Sequence, residues 1–264
     1  MADLTHLLLD RPADGVARLR LDNPDERNAM SPGMTRSWVR AIDELAADRS
    51  VRVVVVTGSG SAFTSGGNLE WLASEPEASV DQLRDRMLPF YRAWLSVRRL
   101  EVPTVAAVNG PAIGAGLCLA LACDVRYAAR GARMGVPFTS LGLHPGMGGT
   151  FTLPDVVGPA VARDLLLTGR LVADEEAVRL GLVSRIMEKE TFEADVLEAA
   201  SAIASAAPIA TRLTTLALRG GGHPDLESAL QWEALAQPVT LATEDLQEGV
   251  AAAREKRRPV FTGR

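Results

Sequence analysis

Residues 108–124 read Val-Asn-Gly-Pro-Ala-Ile-Gly-Ala-Gly-Leu-Cys-Leu-Ala-Leu-Ala-Cys-Asp, and they constrain the fold more than any other stretch of the chain. Asn109, Gly110 and Pro111 spell a turn. Gly114, Ala115 and Gly116 then lead into an apolar helix running toward Cys123. Residues this small at the start of a buried helix let a ligand approach the free backbone N–H groups. Those donors, together with the helix dipole, favour developing negative charge. An earlier segment has the same design. Val53 to Val56 is a buried-strand run, Thr57 to Phe63 is a loop, and Ser65-Gly66-Gly67-Asn68 opens a helix through Leu69 and Leu72. Two glycine-rich strand-to-helix junctions can aim two N–H groups at one oxygen, an oxyanion hole. The same glycines would equally serve to let strand and helix pack tightly.

The rest of the chain alternates strand and helix patterns. His6 to Leu9 and Val16 to Leu21 flank the Asp14-Gly15 turn as a hairpin. Ser31 and Pro32 are the N-cap and first residue of a helix whose apolar face is Met34, Trp38, Ile42 and Leu45. Val51 to Val56 is a strand. Residues 80–100 are a helix carrying Leu83, Met87, Phe90, Tyr91 and Trp94, with a bend expected at Pro89. Val105 to Val108, Val125 to Ala128 and Met134 to Val136 are further strands, and Ala160 to Leu167 is a helix ended by Thr168-Gly169-Arg170. Valine-rich strands between helices argue an α/β architecture. Beyond Thr191 come helices rich in Ala, Leu and Glu, broken at Pro208, at the Arg219-Gly220-Gly221-Gly222-His223-Pro224 loop and at Pro238.

Composition narrows the function classes. A net charge of −5 and the lack of a long Lys/Arg block give no support for nucleic acid as a partner. Arg254 to Arg258 is the densest basic run, either a solvated helix end or a functional patch. Cys118 and Cys123 face different sides of one helix and should not pair, which suits a reducing cytoplasm. The start lacks a basic-then-apolar signal and no apolar run is long enough to span a bilayer, so a cytoplasmic chain without membrane contact is expected. Thr57-Gly58-Ser59-Gly60-Ser61-Ala62-Phe63 lacks the third glycine of a dinucleotide fingerprint. Neither a G-x-S-x-G elbow nor a metal-spaced His/Cys cluster appears, so no metal site is expected.

Six stretches carry a resemblance. They are Leu21 to Met30, Ala62 to Leu69, Val108 to Asp124, Leu141 to Thr150, Ala177 to Val183, and the tail from Glu248-Gly249 through Arg258-Pro259-Val260-Phe261. In this order and spacing the chain resembles the crotonase, or enoyl-CoA hydratase/isomerase, family. The resemblance implies a spiral of repeated ββα units over residues 1–195, holding the acyl-CoA site. It also implies a helical segment over 196–264 that assembles homotrimers or dimers of trimers. It implies an acyl-CoA thioester as partner, with coenzyme A as part of the substrate and no permanently bound cofactor. Gly67 N–H and Ala115 N–H are implied as the two donors to the thioester oxygen, whose loss typically costs about 10²–10³ in rate. Residues 27–29 and 65–70 are implied along the coenzyme A path, so that Arg27, Ala29, Ser65, Asn68 and Leu69 belong to it. Arg27 reads as a phosphate partner or as a plain loop arginine, and Asn68 stands where the family often has Asp. Lys256 and Phe261 match a tail that completes the nucleotide site, sometimes from a neighbouring subunit.

The same resemblance locates the acids of a hydratase, and this chain lacks both. The first glutamate of the family falls at Cys118, three residues after the second donor and one helical turn on. The second falls in Gly135-Val136-Pro137-Phe138, at Phe138. An Asp that other members place further along this loop falls at Gly146. What remains polar nearby is Cys118, Thr139, Ser140 and His144. Cys118 is either a thiol activated by the helix start or a small space-filling residue. His144 is either a base or a shaper of its loop. Two functions stay open: an enzyme on acyl-CoA thioesters, a lyase or isomerase, and a non-catalytic acyl-CoA-binding protein of fatty-acid or lipid metabolism.

Overall fold

The computed structural model describes residues 4–219 and 222–264; Gly220 and Gly221 of the expected loop lie outside the described residues. Strand β1 (Leu7–Ala13) forms the expected hairpin with β2 (Val16–Leu21), and helix α1 (Pro32–Ala47) follows. Ser31 caps α1 by accepting the Met34 N–H at 3.2 Å, and Met34, Trp38, Ile42 and Leu45 are all buried, as their spacing requires. Strand β3 (Val53–Gly58) leads through α2 (Leu69–Leu72) to α3 (Val80–Trp94). Ser79 and Gln82 close a capping box on α3. The helix expected over 80–100 therefore ends at Trp94 and continues as a 3₁₀ turn to Arg99.

Next come β4 (Thr104–Val108), β5 (Ala112–Ile113), α4 (Ala115–Ala122), β6 (Val125–Ala129) and β7 (Met134–Gly135). Helix α5 (Gly149–Thr168) contains the expected 160–167 helix as its second half, after a break at Gly158 (φ 77°) before Pro159. Its first half was hidden by Pro154, which sequence reading takes as a stop. The chain ends with α6 (Asp174–Arg179), β8 (Arg185–Met187), α7 (Phe192–Ala204), α8 (Pro208–Leu218), α9 (Leu226–Leu241) and α10 (Glu244–Glu255).

The main sheet runs β1-β2-β3-β4-β6-β8, antiparallel only between β1 and β2. Beside it lies a second row of short pairings. Met30 lies beside Gly67, Thr64 beside Ala112, Ile113 beside Gly135, and Met134 beside Val172. Each turn of chain thus adds a long strand to the sheet, a short one to this row, and then a helix, which is a spiral of ββα units. Successive valines serve two cores. Val54 and Val56 join Trp38, Trp94 and Leu117 on one face, while Val53 and Val55 meet Phe192, Val196 and Ala200 of α7 on the other. Burial on both faces is why these strands read as unbroken apolar runs. Position 195 falls inside α7, so Val196, Ala200 and Ala204 complete the layer under the sheet. At the end of α10, Arg257 pairs with Glu248 and Glu255, so this member of the basic run is an ion-paired helix end.

Candidate active site

One buried asparagine holds the loops around the first glycine-rich junction. Asn28 accepts the Asn23 N–H at 2.9 Å and donates to the carbonyls of Ser59, Ala62 and Phe63 at 3.0, 2.9 and 3.2 Å. It is fully buried, and both Arg27 and Asn28 take left-handed backbone angles (φ 50° and 56°). The sequence places Asn28 only within the 27–29 stretch and does not show this scaffolding role; the signal available was an amide in a turn, where Asn tolerates positive φ. The chain then pairs with the glycine turn. Met30 N–H donates to Gly66 O at 2.8 Å, Ser65 N–H to Arg27 O at 2.9 Å, and Gly66 N–H to Thr64 Oγ1 at 3.0 Å.

The two junctions meet at Gly66. Its φ of +90° excludes most side chains, and a Cβ there would lie 2.5 Å from Ile113 O and 3.0 Å from Ala115 N. Gly116 is equally constrained, since its Cβ would lie 2.4 Å from Thr64 O. Gly114 caps α4 with φ 56° and ψ −120°, anchored by its N–H to Gly135 O at 2.8 Å. The turn at 65–67 is therefore seated on the first residues of α4. Among the described residues no protein acceptor meets the N–H of Gly67 or of Ala115. Gly67 is half-buried and Ala115 is 6% exposed.

Cys118 lies one turn along α4 and is fully buried. Its Sγ donates to Gly146 O at 3.6 Å and would lie 3.1 Å from a Cβ on Gly149. Burial pushes the thiol up to about 12. Of the two readings of Cys118, this burial favours the space-filling one, because desolvation raises the thiol away from the reactive range. Phe138 is half-buried, with its ring edge 3.7 Å from the Cβ position of Gly114. The phenol of Tyr91 on α3 abuts Gly146, whose Cβ would lie 2.6 Å from the Tyr91 oxygen. Burial, and then the neighbouring Cys118, raise the Tyr91 hydroxyl above its ordinary value. Sequence reading placed Tyr91 on a helix face and missed this contact, which joins residues far apart in the chain.

Other expected site residues are dispersed. His144 and Ser140 are exposed, and Ser140 Oγ faces the backbone at Gly169, not Cys118. Thr139 Oγ1 donates to Leu166 O at 3.3 Å. Asn68 is the N-cap of α2 and accepts the Trp71 N–H at 2.8 Å, a task Asp performs equally. Leu69 is 59% exposed, Ala29 is buried, Ser65 is half-buried, and Arg27 is exposed beside this junction. Lys256 is exposed at the end of α10. Phe261 lies elsewhere within the chain. Its carbonyl accepts from Arg52 at 2.9 Å, just before β3, whereas Arg27 follows the far end of β2. Six residues of strand separate those ends by roughly 17–20 Å.

Asp124, at the other end of α4, is held by Arg219. The guanidinium donates to both carboxylate oxygens at 2.8 Å, and to the carbonyls of Arg98, Leu100 and Val102. Burial raises the Asp124 carboxyl, but Arg219 and Thr104 outweigh it and hold the group below its ordinary range. The pair borders a cavity of about 580 Å³ that also touches Arg126, Thr211 and Thr215, remote from Ala115. Among the described residues no group of three or more His, Cys, Asp or Glu side chains could hold a metal ion, and no helix is long and apolar enough to cross a membrane.

The sequence matches the family model described as enoyl-CoA hydratase/isomerase over residues 11–264. It is 36% identical over 258 residues to the human mitochondrial enoyl-CoA hydratase domain-containing protein 2, covering 96% of this chain and 87% of that protein. It is 34% identical to the crotonyl-CoA hydratase of Syntrophomonas wolfei, covering 93% of this chain and 94% of that protein. In structure it is similar to an enoyl-CoA hydratase from Bacillus anthracis, with a TM-score of 0.92, 33% identity, and coverage of 98% of this chain and 100% of that one.

Proposed function

The chain belongs to the enoyl-CoA hydratase/isomerase family, and from that premise we propose that it binds acyl-CoA thioesters with an oxyanion pair but without a hydratase's two carboxylates. The observation that carries this reading is the pair of unspent backbone donors at Gly67 and Ala115, brought together by the contact of Gly66 with the start of α4. A thioester carbonyl seated between them would gain two hydrogen bonds, and these would strengthen as negative charge develops on its oxygen in an enolate. Arg27, exposed beside the same junction, would meet a coenzyme A phosphate. Lys256 and Phe261 would reach the nucleotide of a neighbouring subunit in a homotrimer or dimer of trimers, because Phe261 sits at the opposite strand ends in its own chain.

The side chains around that carbonyl do not supply ordinary hydration. Addition of water needs one group to deliver a proton and another to take one, and each such group is typically worth about 10²–10⁴-fold. Cys118 is neutral with its thiol near 12, and Phe138 has no proton to give. The expected result is that the protein binds crotonyl-CoA while removing its enoyl-thioester absorbance very slowly. Turnover comparable to a dedicated hydratase would defeat this reading. The second reading, a non-catalytic acyl-CoA carrier, draws on the same neutral pair. A screen of acyl-CoAs for binding and turnover separates the two: binding throughout with no product favours the carrier.

A further inference from the structure

We propose a second binding site, for a small anion carrying phosphate groups, in the cavity where the start of α8, the segment before β3 and the C-terminal tail meet. The proposal does not depend on the acyl-CoA reading above. The cavity measures about 730 Å³. Asp14, Arg49, Ser50, Arg52, Arg212 and Thr262 bring polar side chains to its wall. Three arginines therefore border one cavity, and Asp14 is the one carboxylate among the described residues that line it. The whole chain carries −5, so this excess of positive charge is local. Like charges around one cavity repel each other, and a bound polyanion relieves that repulsion.

The hydrogen bonds show which donors are spent. Arg52 is pinned in place, with one terminal nitrogen donating to Ala204 O at 3.3 Å and the other to Phe261 O at 2.9 Å. Both acceptors are neutral carbonyls, so they leave its charge uncancelled. Arg49 is exposed, and the carboxylate beside it, Asp48, is taken by Arg11 at 2.9 Å and by Ser50. Arg212 Nε is buried and makes no hydrogen bond to the described residues. A buried guanidinium donor without an acceptor is costly, and a phosphate oxygen supplies that acceptor with opposite charge. Arg212 follows Ile209 by three residues on α8, and both line the cavity. Ala207 caps α8 without a side-chain acceptor, and the Ile209 N–H has no protein acceptor among the described residues. The site is separate from the thioester donors. Gly15 and Arg52 stand at the starts of β2 and β3, whereas Arg27 and Gly67 follow the far ends of those strands, roughly 17–20 Å away for six residues of strand. Lys256 does not line the cavity, and Phe261 turns its ring to α10, with Cε1 3.5 Å from the Cβ position of Gly249.

The test titrates inorganic pyrophosphate into the full chain by calorimetry at fixed ionic strength, with and without saturating coenzyme A. The wild type is expected to bind pyrophosphate equally in both. Arg212→Gln is expected to weaken that binding about tenfold or more, the value of a hydrogen bond to a charged group. Arg212→Lys keeps the charge and loses the planar fork, so it is expected to keep only part of the affinity. Arg49→Gln changes an exposed position, leaves the packing alone, and is expected to weaken binding about two- to fivefold. Arg84→Gln, exposed on α3, is expected to change nothing. Any acyl-CoA binding is expected to be the same in all four variants. No binding to the wild type at millimolar pyrophosphate, or binding that survives both Arg212→Gln and Arg49→Gln, overturns the site. Displacement of pyrophosphate by coenzyme A overturns it as well, because the cavity would then belong to a nucleotide site.

Discussion

Single residues at the junction are fixed by space more than by polarity. Gly66 combines φ +90° with two backbone neighbours inside 3.0 Å of any added Cβ, counting Ile113 O at 2.5 Å and Ala115 N at the limit. Gly66→Ala is expected to destabilise the chain by about 2–4 kcal/mol through strain and overpacking, read as a lower urea midpoint. It should also abolish acyl-CoA binding, because relief of the clash separates the two donors. Cys118 and Cys123 are both buried, with thiols pushed up to about 12 by that burial. A thiol reagent at pH 8 is expected to find neither in the native protein and both in guanidinium; rapid native labelling would contradict the burial. These identities were legible in the sequence as small residues and free thiols. Their environment was not, because the desolvation of Cys118 comes from Gly146 and Gly149, some thirty residues further on.

Elements show the same division. The valine strands, the Ser31 cap and the α4 junction were readable because each depends on neighbours within one turn or one alternation. The break in α5 and the seating of α7 were not, because both answer to distant partners: α7 packs under β3, β2 and β1. The same holds for the tie between Arg219, at the end of α8, and Asp124, between α4 and β6, 95 residues apart. Arg219 and Asp124 are 11% and 22% exposed, so removing the cation leaves a largely buried carboxylate without its partner. Arg219→Ala is expected to cost about 3–5 kcal/mol at neutral pH, measured by denaturant unfolding. The native carboxyl lies below its unfolded value, so this stability is present above pH about 4 and is lost as pH falls through the native value. The variant should therefore lie closest to the wild type in acid; an equal gap at pH 3 and pH 7 would contradict the pairing.

At the scale of the whole molecule, α9 presents an unusual surface. Leu226 and Leu235 are each 74% exposed, and Leu230, Val239 and Leu241 are 47%, 52% and 54% exposed. This much aliphatic surface along one sixteen-residue helix is what an assembly covers. Light scattering at micromolar concentration is expected to give three or six times the 28.1 kDa chain mass, and Leu235→Glu to lower it. A wild-type mass of one chain would refute the assembly. The spiral was legible only through the resemblance of ordered motifs, since valine periodicity specifies a covered sheet and not how the turns stack.

The donors at Gly67 and Ala115 have a further consequence. They belong to the main chain, so their aim is set by how successive turns of the spiral stack and by no side chain of their own. Position 115 is already alanine and a methyl at Gly67 would meet only the Leu72 side chain, at 3.2 Å, whereas a methyl at Gly66 or Gly116 would run into backbone oxygens at 2.5 and 2.4 Å. The surrounding side chains are correspondingly free to change. On the proposed reading, carboxylates can give way to Cys118 and Phe138, and the chemistry change with them, while two main-chain donors that side-chain substitution does not touch persist with the fold.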